Sequence, residues 1–119
     1  MPTSGLLGPY PLDEAHIEKY VAQAEDWSSA SAFALGPLKD GRFFIRRVGH
    51  GDGDLGEILK TYIGRYEGFK FKFFRSTRTA YDKECRLYHD FNPNDNEDHP
   101  LKPNNTKFTC PVPSCIHAD

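Results

Sequence analysis

Cysteine and long apolar runs are both scarce in this chain of 119 residues, which contains three cysteines. Three thiols cannot all pair with one another, and small disulfide-held domains normally carry more of them. No apolar run is long enough to cross a bilayer, and residues 1–11 lack the basic start and apolar centre of a signal peptide. These absences argue against a disulfide scaffold and a membrane protein, and they predict a cytoplasmic location.

Length and aromatic content predict one folded domain. A chain of 119 residues can bury one core of ordinary size, and nine phenylalanines help to supply it although the mean hydropathy is -0.65. Neither an internal repeat nor a linker divides the sequence. We expect a single domain over residues 1–119, with an N-terminal helix within 12–28, a core over 30–91 and a tail over 92–119.

Positive charge is concentrated in the middle of the chain. The formal net charge is -2, yet ten of the fifteen Lys and Arg residues lie within residues 39–78. Such a segment can form a basic surface that attracts phosphate backbones, or it can be an ordinary solvated surface. The candidate nucleic-acid-binding residues are Arg42, Arg46, Arg47, Lys70, Lys72 and Arg75.

The first half of the chain predicts a helix followed by a β-hairpin. Asp13 is a suitable N-cap, and apolar residues then recur every three to four positions, which predicts a helix over residues 13–25. The apolar stretch 32–36 predicts a buried strand. An Asp40-Gly41 turn follows, and residues 42–48 favour a second strand.

The second half predicts a helix, a strand and a longer helix. Residues 49–54 are too rich in glycine for regular structure, but their acidic residues can cap a helix over 54–63. Phe69-Lys70-Phe71-Lys72-Phe73 alternates as a half-buried strand does. Ser76 or Thr77 then begins a helix that ends at Phe91. The fold class is therefore α+β, with a three-stranded sheet flanked by helices in the order α-β-β-α-β-α.

Cysteine and histidine spacing predicts a zinc site. Cys85 and His89 are four residues apart on the predicted last helix and so share one face, while Cys110 and Cys115 form a close pair in the tail. Thiolate and imidazole are preferred ligands of tetrahedral Zn²⁺. His99 or His117 is an alternative to His89. Four protein ligands leave no position for water, so the zinc would be structural and would hold a tail that has few apolar side chains.

From residue 30 to residue 91 the sequence resembles the GIY-YIG nuclease superfamily. Ser31-Ala32-Phe33 stands where that family has Gly-Ile-Tyr, and Arg47-Val48-Gly49 stands where it has Tyr-Ile-Gly. Glu84 resembles the glutamate that binds the catalytic cation in that family. The literal Tyr62-Ile63-Gly64 lies at the end of a predicted helix and does not correspond to the motif.

The resemblance implies a nuclease site that this chain reproduces only in part. Phe33 has no hydroxyl to position water, Arg47 replaces the second tyrosine, and the place of the family's helical arginine holds Ile58 or Glu57. His50 is a substitute base. The candidate catalytic residues are Glu84, His50, Arg47 and Phe33, with Mg²⁺ or Mn²⁺ at Glu84 only if the chain is catalytic. These departures predict a degenerate active site.

The same residues also have simpler interpretations. Glu84 can be a surface carboxylate of a charged helix, His50 a solvated turn residue, and Lys70 and Lys72 the exposed side of a strand. We expect a nucleic-acid-binding, catalytically degenerate GIY-YIG-like domain with a structural zinc. One alternative is an active metal-dependent DNA endonuclease that uses Glu84. Another is a non-catalytic module, with an immunity or regulatory role, that binds a protein partner.

Overall fold

The computed structural model of the protein describes residues 4–26, 29–96, 100 and 110–111. Its strands are β1 Leu7–Pro11, β2 Ala30–Gly36, β3 Leu38–Lys39, β4 Arg42–Phe43, β5 Arg47–Gly51 and β6 Gly68–Phe74. Its helices are α1 Glu14–Ile17, which continues as a π-helical segment over Glu18–Ala22, α2 Leu55–Lys60 and α3 Thr77–Phe91. Four strands form an antiparallel sheet in the order β1-β6-β2-β5, and β3 and β4 form a separate short ribbon.

Strand β2 is buried along its whole length because helices cover both faces of the sheet. On one face Phe33 and Leu35 pack with Phe69 of β6, Ile17 of α1 and Leu59 of α2. On the other face the alanines of β2 lie under α3, where Ala34 clusters with Val48 and Leu87. The result is a three-layer α/β/α arrangement with a hydrophobic cluster on each face of the sheet.

Strand β5 is an edge strand, and the β3–β4 ribbon that precedes it is closed by a tight turn. Asp40 and Gly41 have φ values of 51° and 75°, as a type I′ hairpin turn requires. Further along, Gly49 pairs with Phe33, and a Cβ atom at Gly49 would lie 2.5 Å from the tip of the Phe33 ring. The phenylalanine ring therefore occupies the space that a side chain at residue 49 would need.

Helix α3 begins where its sequence predicts. The Ser76 hydroxyl accepts a hydrogen bond from the Thr79 amide at 3.2 Å. The helix ends at Phe91 and is capped by Asn92, whose φ of 45° is left-handed. Its buried face packs on β2 and β5. That face consists of Ala80, Tyr81, Glu84, Cys85 and Leu87.

The α+β class is confirmed, but the expected three-stranded sheet and element order need correction. The sheet contains a fourth strand, β1, which pairs with β6. Its sequence, with Gly8, Pro9 and Pro11, is poor in residues that favour strands. Prolines are tolerated there because β1 is an edge strand and needs only one partner.

Three predicted boundaries are also wrong. The strand expected over residues 42–48 is split, since only Arg42–Phe43 joins the ribbon and Arg47–Gly51 joins the sheet. Strand β5 therefore includes glycines that we assigned to an irregular loop, because pairing with β2 outweighs their low strand preference. The helix expected over 13–25 becomes π-helical and ends at Ala22, and that expected over 54–63 is shorter. The tail that we expected zinc to hold lies largely outside the described residues.

Candidate functional site

The main polar contact beneath α3 joins His50 of β5 to Glu84. Atom Nδ1 of His50 lies 2.5 Å from Oε1 of Glu84, and their side chains are 13% and 8% exposed. Asp52 Oδ1 is 3.9 Å from His50 Nε2, on the solvent side. The Tyr81 ring meets the imidazole edge-on, with centroids 5.9 Å apart. Glu84 is thus a buried, partnered carboxylate, and its interpretation as a surface residue is wrong.

Burial and mutual attraction both act on the ionisation of this pair. Burial is the largest influence on Glu84 and raises its pKa, and the hydrogen bond with His50 offsets only part of that rise. Burial by itself would lower the pKa of His50, but the hydrogen bond and the negative charge of Glu84 outweigh it and raise the pKa. The folded pair therefore holds its protons more tightly than the separated side chains do.

The four candidate catalytic residues do not lie together. His50 and Glu84 are on the α3 face of the sheet, whereas Phe33 belongs to the core on the opposite face. Arg47 also lies toward that opposite face, where its Nε donates to the Tyr66 hydroxyl at 3.1 Å and its guanidinium stands over the Tyr62 ring. The sheet itself separates the two pairs.

The tail returns to α3 at Cys110. This residue is buried in one cluster with Tyr81 and Cys85, and its Sγ lies 3.5 Å from Nε2 of His89. Burial raises the pKa of the Cys85 thiol to about 12. Cys110 therefore lies near two other predicted zinc ligands, Cys85 and His89, and the zinc site itself stays a prediction. The fourth, Cys115, and the alternatives His99 and His117 lie outside the described residues. Within the described ranges, no group of three or more His, Cys, Asp or Glu residues is arranged to hold a metal ion.

The six candidate nucleic-acid-binding residues fall into separate regions. Lys70 and Lys72 project to the α3 side of β6, where their ammonium groups stand over the rings of Phe43 and Phe74 at 5.9 and 5.8 Å. Arg75 follows β6 and is exposed. Arg42 is exposed on the β3–β4 ribbon. Arg46 directly precedes β5, and Arg47 is the first residue of β5 and lies toward the opposite face of the sheet.

Arg46 lines a shallow depression of about 210 Å³ together with Pro37, Arg65, Tyr66, Glu67 and Asp95. The chain after α3 closes this region, since Asp95 accepts a hydrogen bond from the Tyr66 hydroxyl at 2.7 Å. Asn96 then contacts both the amide and the carbonyl of Val48, at 2.8 and 3.1 Å. Its side chain therefore covers part of the free edge of β5, as a neighbouring strand would.

Sequence reasoning missed two cations of the α3 surface, Lys83 and Arg86. Lys83 is close enough to Lys72 for the positive charge of Lys72 to lower its pKa. Their spacing of three residues could have indicated this pair, because it places both side chains on one face of the predicted helix. Their proximity to β6 depends on how α3 lies on the sheet, which the sequence alone does not give.

Comparison with family models, curated proteins and solved structures finds no match for this chain. In the part of the chain that the structure describes, no helix combines the length and the apolar character needed to cross a membrane.

Proposed function

We propose that the protein is a non-catalytic nucleic-acid-binding domain. The binding surface lies beside α3 and consists of two strand residues and two helix residues. We call this set the cationic surface: Lys70, Lys72, Lys83 and Arg86. The proposal rests chiefly on the way the fold brings like charges together at this place.

The observation that carries the proposal is that Lys83 lies close to other positively charged side chains. Burial is the first cause that lowers its pKa, and the positive charges of Lys72 and Arg86 lower it further, against a partial offset from Asp90. Gly5 of the N-terminal segment also approaches Lys83, since a Cβ built there would lie 3.1 Å from Nζ. Holding cations together costs free energy unless an anion joins them. A phosphate backbone is an anion that can contact several of them at once.

The neighbouring side chains are consistent with this ligand. Within the described ranges, none of the four cations forms an ion pair with a carboxylate inside 4.0 Å, whereas Lys60 and Arg78 each do. The rings of Phe43 and Phe74 lie under Lys70 and Lys72. Basic grooves with interleaved aromatic rings can bind single strands, because the cations contact phosphates and the rings stack on bases.

The position of Phe33 and Arg47 supports the non-catalytic part of the proposal. A phosphodiester cleaved at Glu84 would need a water-positioning group and a cation on the same side of the sheet. Phe33 is in the opposite core, and Arg47 is engaged by Tyr66. We therefore take from the GIY-YIG resemblance only the expectation that the protein binds nucleic acid, and not the cleavage reaction of that superfamily.

A second candidate, a metal-dependent endonuclease, is favoured by one observation. Glu84 is a buried carboxylate held by His50, and perturbed ionisable pairs are common at catalytic sites. In this case Glu84 would bind Mg²⁺ or Mn²⁺ and His50 would act as the base.

Salt dependence of binding tests the main proposal. Fluorescence anisotropy with labelled single-stranded and duplex DNA of about 20 nucleotides, in a series of NaCl concentrations, gives the slope of log K against log salt. If two to four phosphates are contacted, the slope for duplex should lie between about -1.8 and about -3.6, at about -0.9 for each contact. No detectable binding to either DNA form or to matched RNA at low salt would reject the proposal and favour a protein-binding module.

A further inference from the structure

The depression near the start of β6 combines charged groups of both signs with an exposed aromatic residue. Its charged lining residues are Arg46, Arg65, Glu67 and Asp95. Phe44 precedes Arg46 by two residues, its amide donates to the Pro37 carbonyl at 3.3 Å, and its side chain is 56% exposed. Because Pro37 and Arg46 both line the depression, Phe44 stands at its rim.

The charged groups of this depression do not neutralise one another in pairs. Within the described ranges, Arg46, Arg65 and Glu67 form no ion pair inside 4.0 Å, and all three side chains are exposed. Asp95 instead accepts a hydrogen bond from the Tyr66 hydroxyl at 2.7 Å. The depression therefore offers guanidinium donors and a carboxylate acceptor to one and the same ligand.

Contacts within the protein hold two of the lining groups in place. The Arg65 guanidinium stands 5.1 Å from the centroid of the Tyr62 ring. The Tyr66 hydroxyl accepts a hydrogen bond from Arg47 Nε at 3.1 Å and donates its own to Asp95. Groups that are already ordered lose less conformational entropy when a ligand binds. This part of the wall is therefore prepared for binding.

The size and the polar groups of the depression favour one guanine base. Its volume of about 210 Å³ is below the range of about 300–1,000 Å³ that is usual for drug-sized ligands, so it suits a single ring system. Guanine presents N7 and O6 as acceptors, which a guanidinium group binds, and the N1 and N2 hydrogens as donors, which a carboxylate accepts. Adenine has an amino group in the place of O6, and pyrimidines have no N7.

We propose that the depression binds a guanine base of a single strand whose phosphates contact the cationic surface. Arg46 and Arg65 donate to O6 and N7, Glu67 accepts from N1 and N2, and Phe44 stacks on the base. This inference rests on the proposed function, because the strand is first held by the cationic surface. The two places are neighbours, since Lys70 stands over the ring of Phe43, which directly precedes Phe44.

Base substitution in a single strand is the first test. Fluorescence anisotropy compares short thymine oligonucleotides that carry one central guanine, adenine or cytosine with the unsubstituted thymine strand. We expect the guanine strand to bind at least about fivefold more tightly than the other three. Replacement of guanine by 7-deazaguanine, which lacks N7, or by hypoxanthine, which lacks the N2 amino group, should reduce this advantage.

Variants of exposed residues assign the contacts. Glu67→Gln should remove the advantage of guanine and leave both the affinity for the thymine strand and its salt slope unchanged. Glu57→Gln is the matched control, because Glu57 is an exposed carboxylate of α2, and it should keep the advantage. Phe44→Ala should weaken all four strands alike, by at least about fivefold, because stacking tolerates every base. Circular dichroism checks that each variant is folded.

The outcomes separate this inference from the function on which it rests. Equal affinity for the four strands, with the salt dependence intact, would overturn the inference and leave the proposed function standing. A guanine advantage that Glu67→Gln leaves unchanged would likewise overturn the assignment to this depression. Absence of binding by every strand at low salt would reject the proposed function and the inference together.

Discussion

His50 Nδ1 and Glu84 Oε1, 2.5 Å apart, connect the edge strand β5 to the helix that covers it. The two residues are 34 positions apart in the sequence, and both side chains are largely buried. Hydrogen bonds with an ionised partner are stronger than neutral ones, and leaving one partner of a buried pair alone is costly. This contact should therefore control both the ionisation of His50 and part of the stability of the fold.

Replacement of Glu84 should lower the pKa of His50. In Glu84→Gln the amide can still accept a hydrogen bond from Nδ1, but the negative charge that favours imidazolium is gone, so burial dominates and the pKa falls. The measurement is an NMR titration of the His50 ring. Asp52→Asn is the matched control and should lower the pKa less, because Asp52 is the weaker of the two acidic influences. An unchanged His50 titration in Glu84→Gln would contradict the contact.

The same pair should make stability depend on pH. The folded-state pKa of His50 is raised, so its contribution is complete below the unfolded value of about 6.5 and is lost as pH rises through the folded pKa. The pKa of Glu84 is raised as well and acts in the same direction at lower pH. Urea unfolding at a series of pH values should show a free-energy advantage of wild type over Glu84→Gln that declines toward alkaline pH. At pH 6 we expect a difference of about 1–3 kcal/mol. A stability advantage of wild type over Glu84→Gln that grows with pH would contradict this prediction.

Gly49 should resist enlargement because Phe33 fills its side-chain space. Gly49→Ala would place a Cβ 2.5 Å from the Phe33 ring, and we expect a loss of about 1–3 kcal/mol of unfolding free energy in urea. Gly56→Ala in α2 is the matched control, because its Cβ would find only ordinary contacts at 3.6 Å or more. It should be neutral or stabilise by up to about 1 kcal/mol.

A double variant identifies the clash as the cause. Phe33→Leu removes the ring, so adding Gly49→Ala to it should cost much less than Gly49→Ala costs in the wild-type protein. Additive effects of the two substitutions would show that the strain at residue 49 has another source.

The parts of the fold that could be predicted are those with local physical causes. The Ser76 cap, the alternation over residues 69–73 and the Asp40-Gly41 turn each depend on neighbours in the sequence, and each is found where predicted. The fourth strand could not be predicted, because β1 is stabilised by its pairing with β6, some 60 residues later. The glycines of β5 were likewise misassigned because pairing with β2 overrides their intrinsic preference.

The candidate site also has parts that the sequence could indicate and parts that it could not. Cys110 lies 3.5 Å from His89, but the zinc site that we predicted from the spacing of these residue types stays a prediction. The burial of Glu84 could not be anticipated, because its partner His50 lies in a segment that reads as a solvated glycine loop. Lys83 joins Lys72 only because α3 crosses the sheet beside β6. Contacts between distant segments therefore account for most of what the sequence did not disclose.

A nicking assay separates the two candidate functions. With supercoiled plasmid and Mg²⁺ or Mn²⁺, we expect no conversion to open-circular or linear DNA above the buffer control. The second candidate predicts the opposite, namely cleavage that Glu84→Gln abolishes and Lys19→Gln leaves intact. Cleavage that survives both Glu84→Gln and further purification would contradict both candidates.

Charge reversal on the cationic surface should weaken nucleic-acid binding through lost phosphate contacts. In Lys72→Glu/Lys83→Glu we expect at least about a tenfold loss of DNA affinity at low salt and a salt slope smaller by about 2. Lys19→Glu/Lys60→Glu is the matched control, since it changes the net charge equally but lies on the helices that cover the other face. If long-range attraction to the whole protein governed binding, the two double variants would lose the same affinity. A loss confined to the Lys72 and Lys83 variant, with both proteins folded by circular dichroism, assigns the phosphate contacts to the surface beside α3.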